Sequence, residues 1–358
     1  MNVVVRVDGS THIGLGHVMR CLTLAKQFLA AHEVTFLCCE LPETVKVQIN
    51  DLGIPVLAVS TENFQFESTE EVLATSVQEE HASACRSLLH ECNLHCVDIL
   101  IVDHYRLSAP FCRAMRSKCN HIVVIDDLAN RPHDCDVLID QNFYDNLMTR
   151  YIGLLPDDTR ALLGPKYALL RESFYAPYTE IRKGNHFIVC FGGSDPGNMT
   201  ERVVDIIMAL KLQRFTADIV VGAGYVNAAR LKEKLANQTN IAFYHDTPFL
   251  GQLMQRGNFM IGAGGSMHWE RAKSSIAGLI VCLAHNQVET TRSLHKSKCC
   301  LYIGNSDDVE DEEISKAIEF ALNSPEKMTT IANNARSLVG EGQNPSFVMD
   351  EILKTITR

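Results

Sequence analysis

The sequence predicts an α/β protein built from two Rossmann-like units. Short apolar segments rich in β-branched residues alternate with amphipathic helical segments along the chain. Several predicted strands run into glycine-rich turns, as nucleotide-binding α/β units do. The unbroken apolar strands are typical of a parallel sheet covered on both faces. A length of 358 residues suits about two domains, and we expect the two units to face a central cleft.

The first half of the chain is predicted to form six strands and four helices. The strands are expected at residues 2–7, 34–38, 56–59, 98–102, 121–125 and 137–139. The helices are expected at residues 17–31, 44–52, 69–92 and 110–118. In the first helix, Val18, Leu22, Ala25 and Leu29 recur at helical spacing, which predicts one buried face.

The second half repeats the alternation after an irregular, proline-containing segment at 142–184. Strands are expected at residues 187–191, 217–221, 241–244, 259–261 and 279–283. Helices are expected at residues 199–212, 226–237, 248–256, 267–275, 289–297, 311–323 and 347–356. We therefore predict a first domain at 1–160, a second at 161–340, and a C-terminal segment at 341–358.

Composition excludes several function classes. The net charge is −10 and no Lys/Arg run exceeds two residues, which argues against a nucleic-acid groove. No apolar run approaches the roughly 20 residues that span a bilayer, and no signal peptide is visible. The thirteen cysteines lack a Cys-x-x-Cys pair and are interpreted as reduced thiols of a cytoplasmic protein. His90, Cys92, His95 and Cys96 lack a second cluster to complete a zinc site, so we expect no metal.

The turn after the first strand places Gly14, Gly16 and His17 at the start of a helix. Backbone N–H groups at a helix N-terminus favour an anion, and the positive helix end favours a neutral imidazole. His17 is therefore a candidate general base. Two alternatives remain: a helix residue without chemistry, and a dinucleotide site, which Met19 at a position that requires Gly or Ala disfavours.

Two glycine-rich turns in the second half predict a nucleotide site. The first is Gly192, Gly193 and Ser194, which lacks the lysine of a P-loop and also fits a simple capped turn. The second is Gly264, Gly265 and Ser266, with Glu270 one helical turn further on. A carboxylate there can accept the ribose hydroxyls while N–H groups hold the phosphates. The alternative is an exposed surface glutamate.

Polar residues also follow other predicted strands. Asn286 and Gln287 suit the recognition of sugar hydroxyl or acetamido groups. Asp8, Asp103 and Tyr105 lie at strand ends in the first half, where they fit either a site or helix caps and turns. Asp126 and Asp127 resemble a metal-binding pair but fit a turn equally well.

These motifs resemble the UDP-sugar hydrolases of pseudaminic acid biosynthesis. The resemblance rests on residues 6–10, 13–22, 103–105, 126–129, 192–195, 264–266 and 269–270. It implies a GT-B fold, no metal or cofactor, and hydrolysis of a UDP-linked diacetamido-trideoxy-hexose at the anomeric C–O bond. The second half also resembles the GT-B transferase that makes lipid II.

The resemblance further assigns residues to roles. It implies His17 as the base, and we expect Asp8 to orient or polarise it. Sugar contacts are expected from Gly14, Gly16, Arg20, Asp103, Tyr105, Asn286 and Gln287. UDP contacts are expected from Gly192, Gly193, Ser194, Gly264, Gly265, Ser266 and Glu270.

The partners implied are a UDP-sugar and water, together with other enzymes of the same pathway. The alternative functions are a GT-B glycosyltransferase that uses a UDP-sugar and a non-catalytic regulator that binds one. The sequence leaves open the stereochemistry of the sugar, the oligomeric state and the glycan or protein that receives the product.

Overall fold

The structure is a computed structural model that describes residues 1–10, 15–60, 71–176, 185–212, 214–340 and 343–357. The chain divides into two units. The first comprises residues 1–141, 146–169 and 344–358, and the second comprises residues 142–145 and 170–343. Gly14, residues 69–70 of the predicted third helix and residues 177–184 of the predicted irregular segment lie outside the described residues.

The first unit is a seven-stranded sheet with helices on both faces. Its strands are Asn2–Val7 (β1), Glu33–Cys38 (β2), Val56–Ala58 (β3), Val97–Asp103 (β4), Cys119–Ile125 (β5), Val137–Asp140 (β6) and Arg160–Leu163 (β7). Its helices up to this point are Gly16–Phe28 (α1), Glu43–Asn50 (α2), Thr75–Glu91 (α3) and Ala109–Met115 (α4).

The strand order in this sheet is β3-β2-β1-β4-β5-β6-β7, and the described pairings are parallel. Alternate residues of β1 enter different cores: Val3 and Val5 pack on one face and Val4 on the other. β2, the next strand along the chain, lies on one side of β1, and β4 lies on the other side, so the strand order reverses at β1. Ligands of open α/β sheets bind outside the carboxyl ends of the strands at such a switch point.

The second unit is a six-stranded sheet. Its strands are Asn185–Cys190 (β8), Phe215–Val221 (β9), Ile241–His245 (β10), Phe259–Ala263 (β11), Ala277–Cys282 (β12) and Leu301–Asn305 (β13). Its helices are Met199–Ala209 (α5), Ala228–Leu235 (α6), Leu250–Arg256 (α7), Met267–Lys273 (α8), Val288–Lys296 (α9), Asp311–Asn323 (α10) and Pro325–Leu338 (α11). The order β10-β9-β8-β11-β12-β13 is again parallel and puts a switch point between β8 and β11.

The last helix, Phe347–Ile356 (α12), belongs to the first unit. Val348 and Ile352 are buried in the core beneath α1. Phe347 stacks on Tyr167, with ring centroids 5.8 Å apart. Glu351 forms an ion pair with Arg160 of β7. The amphipathic pattern of this helix is therefore satisfied by packing on the first sheet.

Three elements differ from the sequence prediction. The segment expected to be irregular contains β7, which pairs in parallel with β6. Strand β13 and helix α11 were not predicted. β7 is only four residues long and half-exposed, and the residues of β13 are all half-buried, so neither carries a clear apolar period. Among the described residues, no helix is both long and apolar enough to cross a membrane.

Candidate active site

His17 lies in the first turn of α1, at the switch point of the first sheet. Its ring nitrogen Nδ1 is 2.6 Å from Oδ1 of Asp103, the last residue of β4. An ionised carboxylate only accepts hydrogen bonds, so we assign the proton of the neutral ring to Nδ1. Nε2 is then left with a lone pair, as a general base requires.

Asp103 is buried and its two oxygens are held by several donors. Arg20 donates from Nε to Oδ2 at 2.6 Å and from Nη2 to Oδ1 at 2.7 Å. Arg20 Nη2 also lies 3.0 Å from His17 Nδ1, but with Nδ1 protonated towards Asp103 this nitrogen has no free lone pair, so the approach is a contact and not a hydrogen bond. Burial alone would raise the pKa of Asp103, whereas Arg20 and then His17 hold that pKa well below its ordinary value. Asp103 therefore stays ionised beside His17.

Asp127 and Tyr105 complete the surroundings of His17. Arg20 Nη1 donates to Asp127 Oδ2 at 2.9 Å. The Tyr105 ring meets the His17 ring edge-on, with centroids 4.4 Å apart. Burial, and then Asp127, raise the pKa of Tyr105 well above its ordinary value, so its hydroxyl stays protonated and hydrogen-bonds to Asp127. The group around His17 thus combines one imidazole, two carboxylates, one guanidinium and one phenol.

The structure corrects the role expected for Asp8. Asp8 Oδ2 is 2.6 Å from Arg6 Nη2 and 3.2 Å from His104 Nε2, while Asp8 Oδ1 accepts from the backbone N–H of Cys39 at 2.6 Å. Asp103, not Asp8, contacts His17. Asp103 ends β4 and Asp8 directly follows β1 at the same sheet edge, and the sequence did not distinguish which one the ring would meet.

Other predicted residues of the first unit are placed as follows. Arg20 and Asp103, expected to contact sugar, use their polar atoms to hold each other and His17. Gly16 is exposed at the start of α1. The sequence left the role of Asp127 open, and in the structure Asp127 belongs to the group of side chains around His17. Its neighbour Asp126 is buried elsewhere, where Arg131 lies 2.8 Å away.

The turn after β8 is shaped by close contact with a second glycine turn. Gly192 has a φ of +94°, which favours glycine. A Cβ on Gly222, which follows β9, would lie 2.5 Å from Cα and O of Gly193. Gly224 donates its N–H to Gly193 O at 3.0 Å. The backbone of the turn after β9 passes so close to Gly193 and Ser194 that a side chain would not fit, which explains the glycines at positions 222 and 224.

Helix α5 after this turn is capped by Asp195. Its Oδ1 accepts from Met199 N at 2.9 Å and its Oδ2 from Thr200 N at 2.7 Å. These two helix N–H groups are therefore satisfied within the chain. An anion at this turn would have to be held by the backbone between Gly192 and Ser194 rather than by the start of α5.

The turn after β11 carries Gly264, Gly265 and Ser266 into α8. Gly265 has a φ of +70°. The Gln287 side chain packs against this turn, 3.1 Å from where a Cβ on Gly264 would lie. Gln287 Oε1 also accepts from Leu283 N at 3.0 Å, so this residue, expected to contact sugar, supports the turn. Asn286 precedes it and is half-buried.

Glu270 lies in the first turn of α8, mostly buried, and one of its oxygens is paired. Arg171 Nη2 is 3.0 Å from Glu270 Oε1. The sequence did not predict this arginine, which comes from the irregular segment before β8. The two glycine turns and Glu270 lie at the ends of β8 and β11, the switch point of the second sheet. Across the described residues, no group of three or more His, Cys, Asp or Glu is arranged to hold a metal ion.

The chain was compared with known proteins. No family model matches it. It is 27% identical over 297 residues to the UDP-2,4-diacetamido-2,4,6-trideoxy-beta-L-altropyranose hydrolase of Campylobacter jejuni, covering 83% of this chain and 97% of the relative. It is 20% identical over 350 residues to the spore coat polysaccharide biosynthesis protein SpsG of Bacillus subtilis, covering 96% and 95%.

Solved structures share the architecture at low sequence identity. MurG of Acinetobacter baumannii matches with a TM-score of 0.65 and 14% identity, covering 100% of this chain and 99% of that one. UDP-GlcNAc 2-epimerase of Neisseria meningitidis matches with a TM-score of 0.62 and 13% identity, covering 99% and 100%. The sequence resemblance to the UDP-sugar hydrolases and the predicted fold class are therefore confirmed. The chain has the GT-B fold, with two Rossmann-like domains.

Proposed function

We propose that this protein hydrolyses a UDP-linked diacetamido-trideoxy-hexose to UDP and the free sugar. The observation that carries the proposal is the 2.6 Å contact between His17 Nδ1 and Asp103, which leaves Nε2 as a base. The similarity to the C. jejuni hydrolase supports the substrate class. His17 in that arrangement also argues against a purely regulatory protein that only binds the UDP-sugar.

In the proposed reaction, His17 Nε2 takes a proton from water as the water oxygen attacks the anomeric carbon. The bond between that carbon and the UDP oxygen breaks, and its electron pair leaves with UDP. Asp103 stabilises the imidazolium that forms. UDP is a good leaving group, so a base for water is sufficient, with a typical contribution of about 10²–10⁴ in rate. Attack opposite the leaving group would invert the anomeric configuration.

The second unit is proposed to hold UDP. The backbone N–H groups of the 192–194 and 264–266 turns are the proposed diphosphate donors, which would stabilise charge that develops on the leaving group. Glu270 is the proposed acceptor for the ribose hydroxyls. Arg171 contacts Oε1 of this carboxylate, and Oε2 is the oxygen proposed to accept from the ribose. Gly14, Gly16, Tyr105 and Asn286 are proposed to face the sugar. No metal or cofactor takes part in this proposal.

The competing function is a GT-B glycosyltransferase with a sugar or lipid acceptor in place of water, which the fold neighbours favour. Reaction in ¹⁸O-labelled water with the UDP-linked sugar tests both. Hydrolysis with C–O cleavage puts the label on the free sugar. Label on UDP would overturn the C–O mechanism, and no turnover without an added acceptor would favour the transferase. UDP-GlcNAc serves as the control substrate.

His17→Asn tests the proposed base directly. The variant should keep its affinity for UDP, which is assigned to the second unit, and lose nearly all turnover. Calorimetric titration with UDP and an assay of UDP release measure the two effects separately. Wild-type turnover by the variant would remove His17 from the mechanism.

A further inference from the structure

A buried polar group lies next to the His17 site and has no role in the proposed reaction. It consists of Arg6, Asp8, His81 and His104, all buried. Arg6 Nη2 and Asp8 Oδ2 are 2.6 Å apart, and neither side chain is exposed. Their opposite charges balance each other, so the group adds little net charge near His17. Any effect that it has on His17 must therefore be transmitted through geometry.

His104 links this group to His17. In the sequence it lies between Asp103 and Tyr105, whose side chains both contact the His17 ring. His104 Nδ1 accepts from Arg106 N at 3.1 Å, so the proton of the neutral ring is on Nε2, which is 3.2 Å from Asp8 Oδ2. Burial lowers the pKa of His104, although Asp8 acts in the opposite direction. The lowered pKa favours the neutral form of the ring.

Asp8 is itself firmly held. Its Oδ1 accepts from the backbone N–H groups of Cys39 at 2.6 Å and Glu40 at 3.2 Å, just after β2. Arg6 donates from Nε to His81 Nε2 on α3 at 2.8 Å. The Asp8 carboxylate thus joins the ends of β1 and β2 to the segment after β4. The His104 carbonyl is fixed as well, accepting from Leu107 N and Arg131 Nη2 at 3.2 Å each.

We propose that His104 is a positioning residue, which acts through its hydrogen bond to Asp8 to hold Asp103 and Tyr105 against the His17 ring. The kinetic part of this inference rests on the proposed function. A displacement of about 1 Å at a reacting group can reduce the rate by up to about 100-fold. Asp8 thereby contributes to His17 indirectly, although it does not touch the ring.

Two substitutions of His104 separate the proposed bond from general packing. In His104→Asn, the shorter side chain can still accept from Arg106 N but does not reach Asp8. In His104→Gln, the terminal amide nitrogen reaches the place of Nε2 and can donate to Asp8. We expect His104→Asn to lower kcat by up to about 100-fold with little change in KM, and His104→Gln to recover most of the activity. His121→Asn, near the amino end of β5, is the matched control.

A second readout does not depend on activity. Nitrogen-15 NMR of the ligand-free protein reports which nitrogen of His17 carries the proton. We expect the Nδ1–H form in the wild type and His104→Gln, and a mixture of both forms in His104→Asn. Equal kcat and equal His17 spectra in the Asn and Gln variants would overturn the positioning role. If the wild type lacks hydrolase activity but the spectra differ as expected, the proposed function fails and the positioning inference stands.

Discussion

Asp103→Asn is the sharpest test of the arrangement around His17. An asparagine has one oxygen where Asp103 presents two acceptors, to His17 Nδ1 at 2.6 Å and to Arg20 Nε at 2.6 Å. If the amide nitrogen faces His17, the ring must move its proton to Nε2 and loses its basic atom. If the nitrogen faces Arg20 instead, two donors oppose each other. In either orientation, the charge that stabilises the imidazolium is lost.

The expected loss follows from the contribution of a positioned base. General-base catalysis typically gives about 10²–10⁴ in rate, and each factor of ten equals about 1.36 kcal/mol, so the barrier should rise by about 3–5 kcal/mol. Breaking a buried ion pair also destabilises a protein, by about 3–5 kcal/mol when one partner is left alone. Because Arg20 keeps Asp127 at 2.9 Å, we expect the loss of stability to fall below that range.

The assay measures UDP release at saturating substrate, with thermal unfolding in parallel and UDP titration as the control for the second unit. Asp127→Asn is the matched variant, since it removes a partner of Arg20 but leaves the His17–Asp103 contact. We expect it to lower kcat much less than Asp103→Asn does. A kcat for Asp103→Asn within about threefold of wild type, a barrier change below 1 kcal/mol, would refute the reasoning.

Three further predictions concern the nucleotide site and acid stability. Glu270→Ala should weaken UDP binding by about 1.5–3 kcal/mol in a calorimetric titration; unchanged affinity, equal to that of the exposed-site control Glu319→Ala, would disprove the ribose assignment. Gly222→Ala should shift the Gly193 backbone, which destabilises the protein by about 1–3 kcal/mol and weakens UDP binding. The control Gly197→Ala, whose added Cβ has nothing within 4 Å, should change neither the stability nor the affinity for UDP. The folded-state pKa values of Asp8 and Asp103 lie below the ordinary 3.8, so their stabilisation is complete above that value and is lost as the pH falls below it. Urea unfolding at several pH values should show this loss, with a shallower dependence in Asp8→Asn; equal slopes would contradict it.

The periodic signals in the sequence determined the architecture. Apolar runs and helical spacing are properties of single segments, so they predicted most strands and helices and the presence of two Rossmann-like units. They also predicted His17 at the start of a helix and the two glycine turns of the second half at strand ends, where the structure has them. They missed two short strands, β7 and β13, which have only four and five residues and no fully buried face, and also the 14-residue helix α11.

Contacts between distant segments were decided only by the tertiary structure. His17 and Asp103 are 86 positions apart and meet because β4 lies beside β1 in the sheet. Asp8 directly follows the neighbouring strand β1 and instead pairs with Arg6 and His104. The sequence supplied several aspartates at one sheet edge, and a periodic pattern carries no information on which of them a given ring will contact. Strand order and the direction of each side chain made that choice.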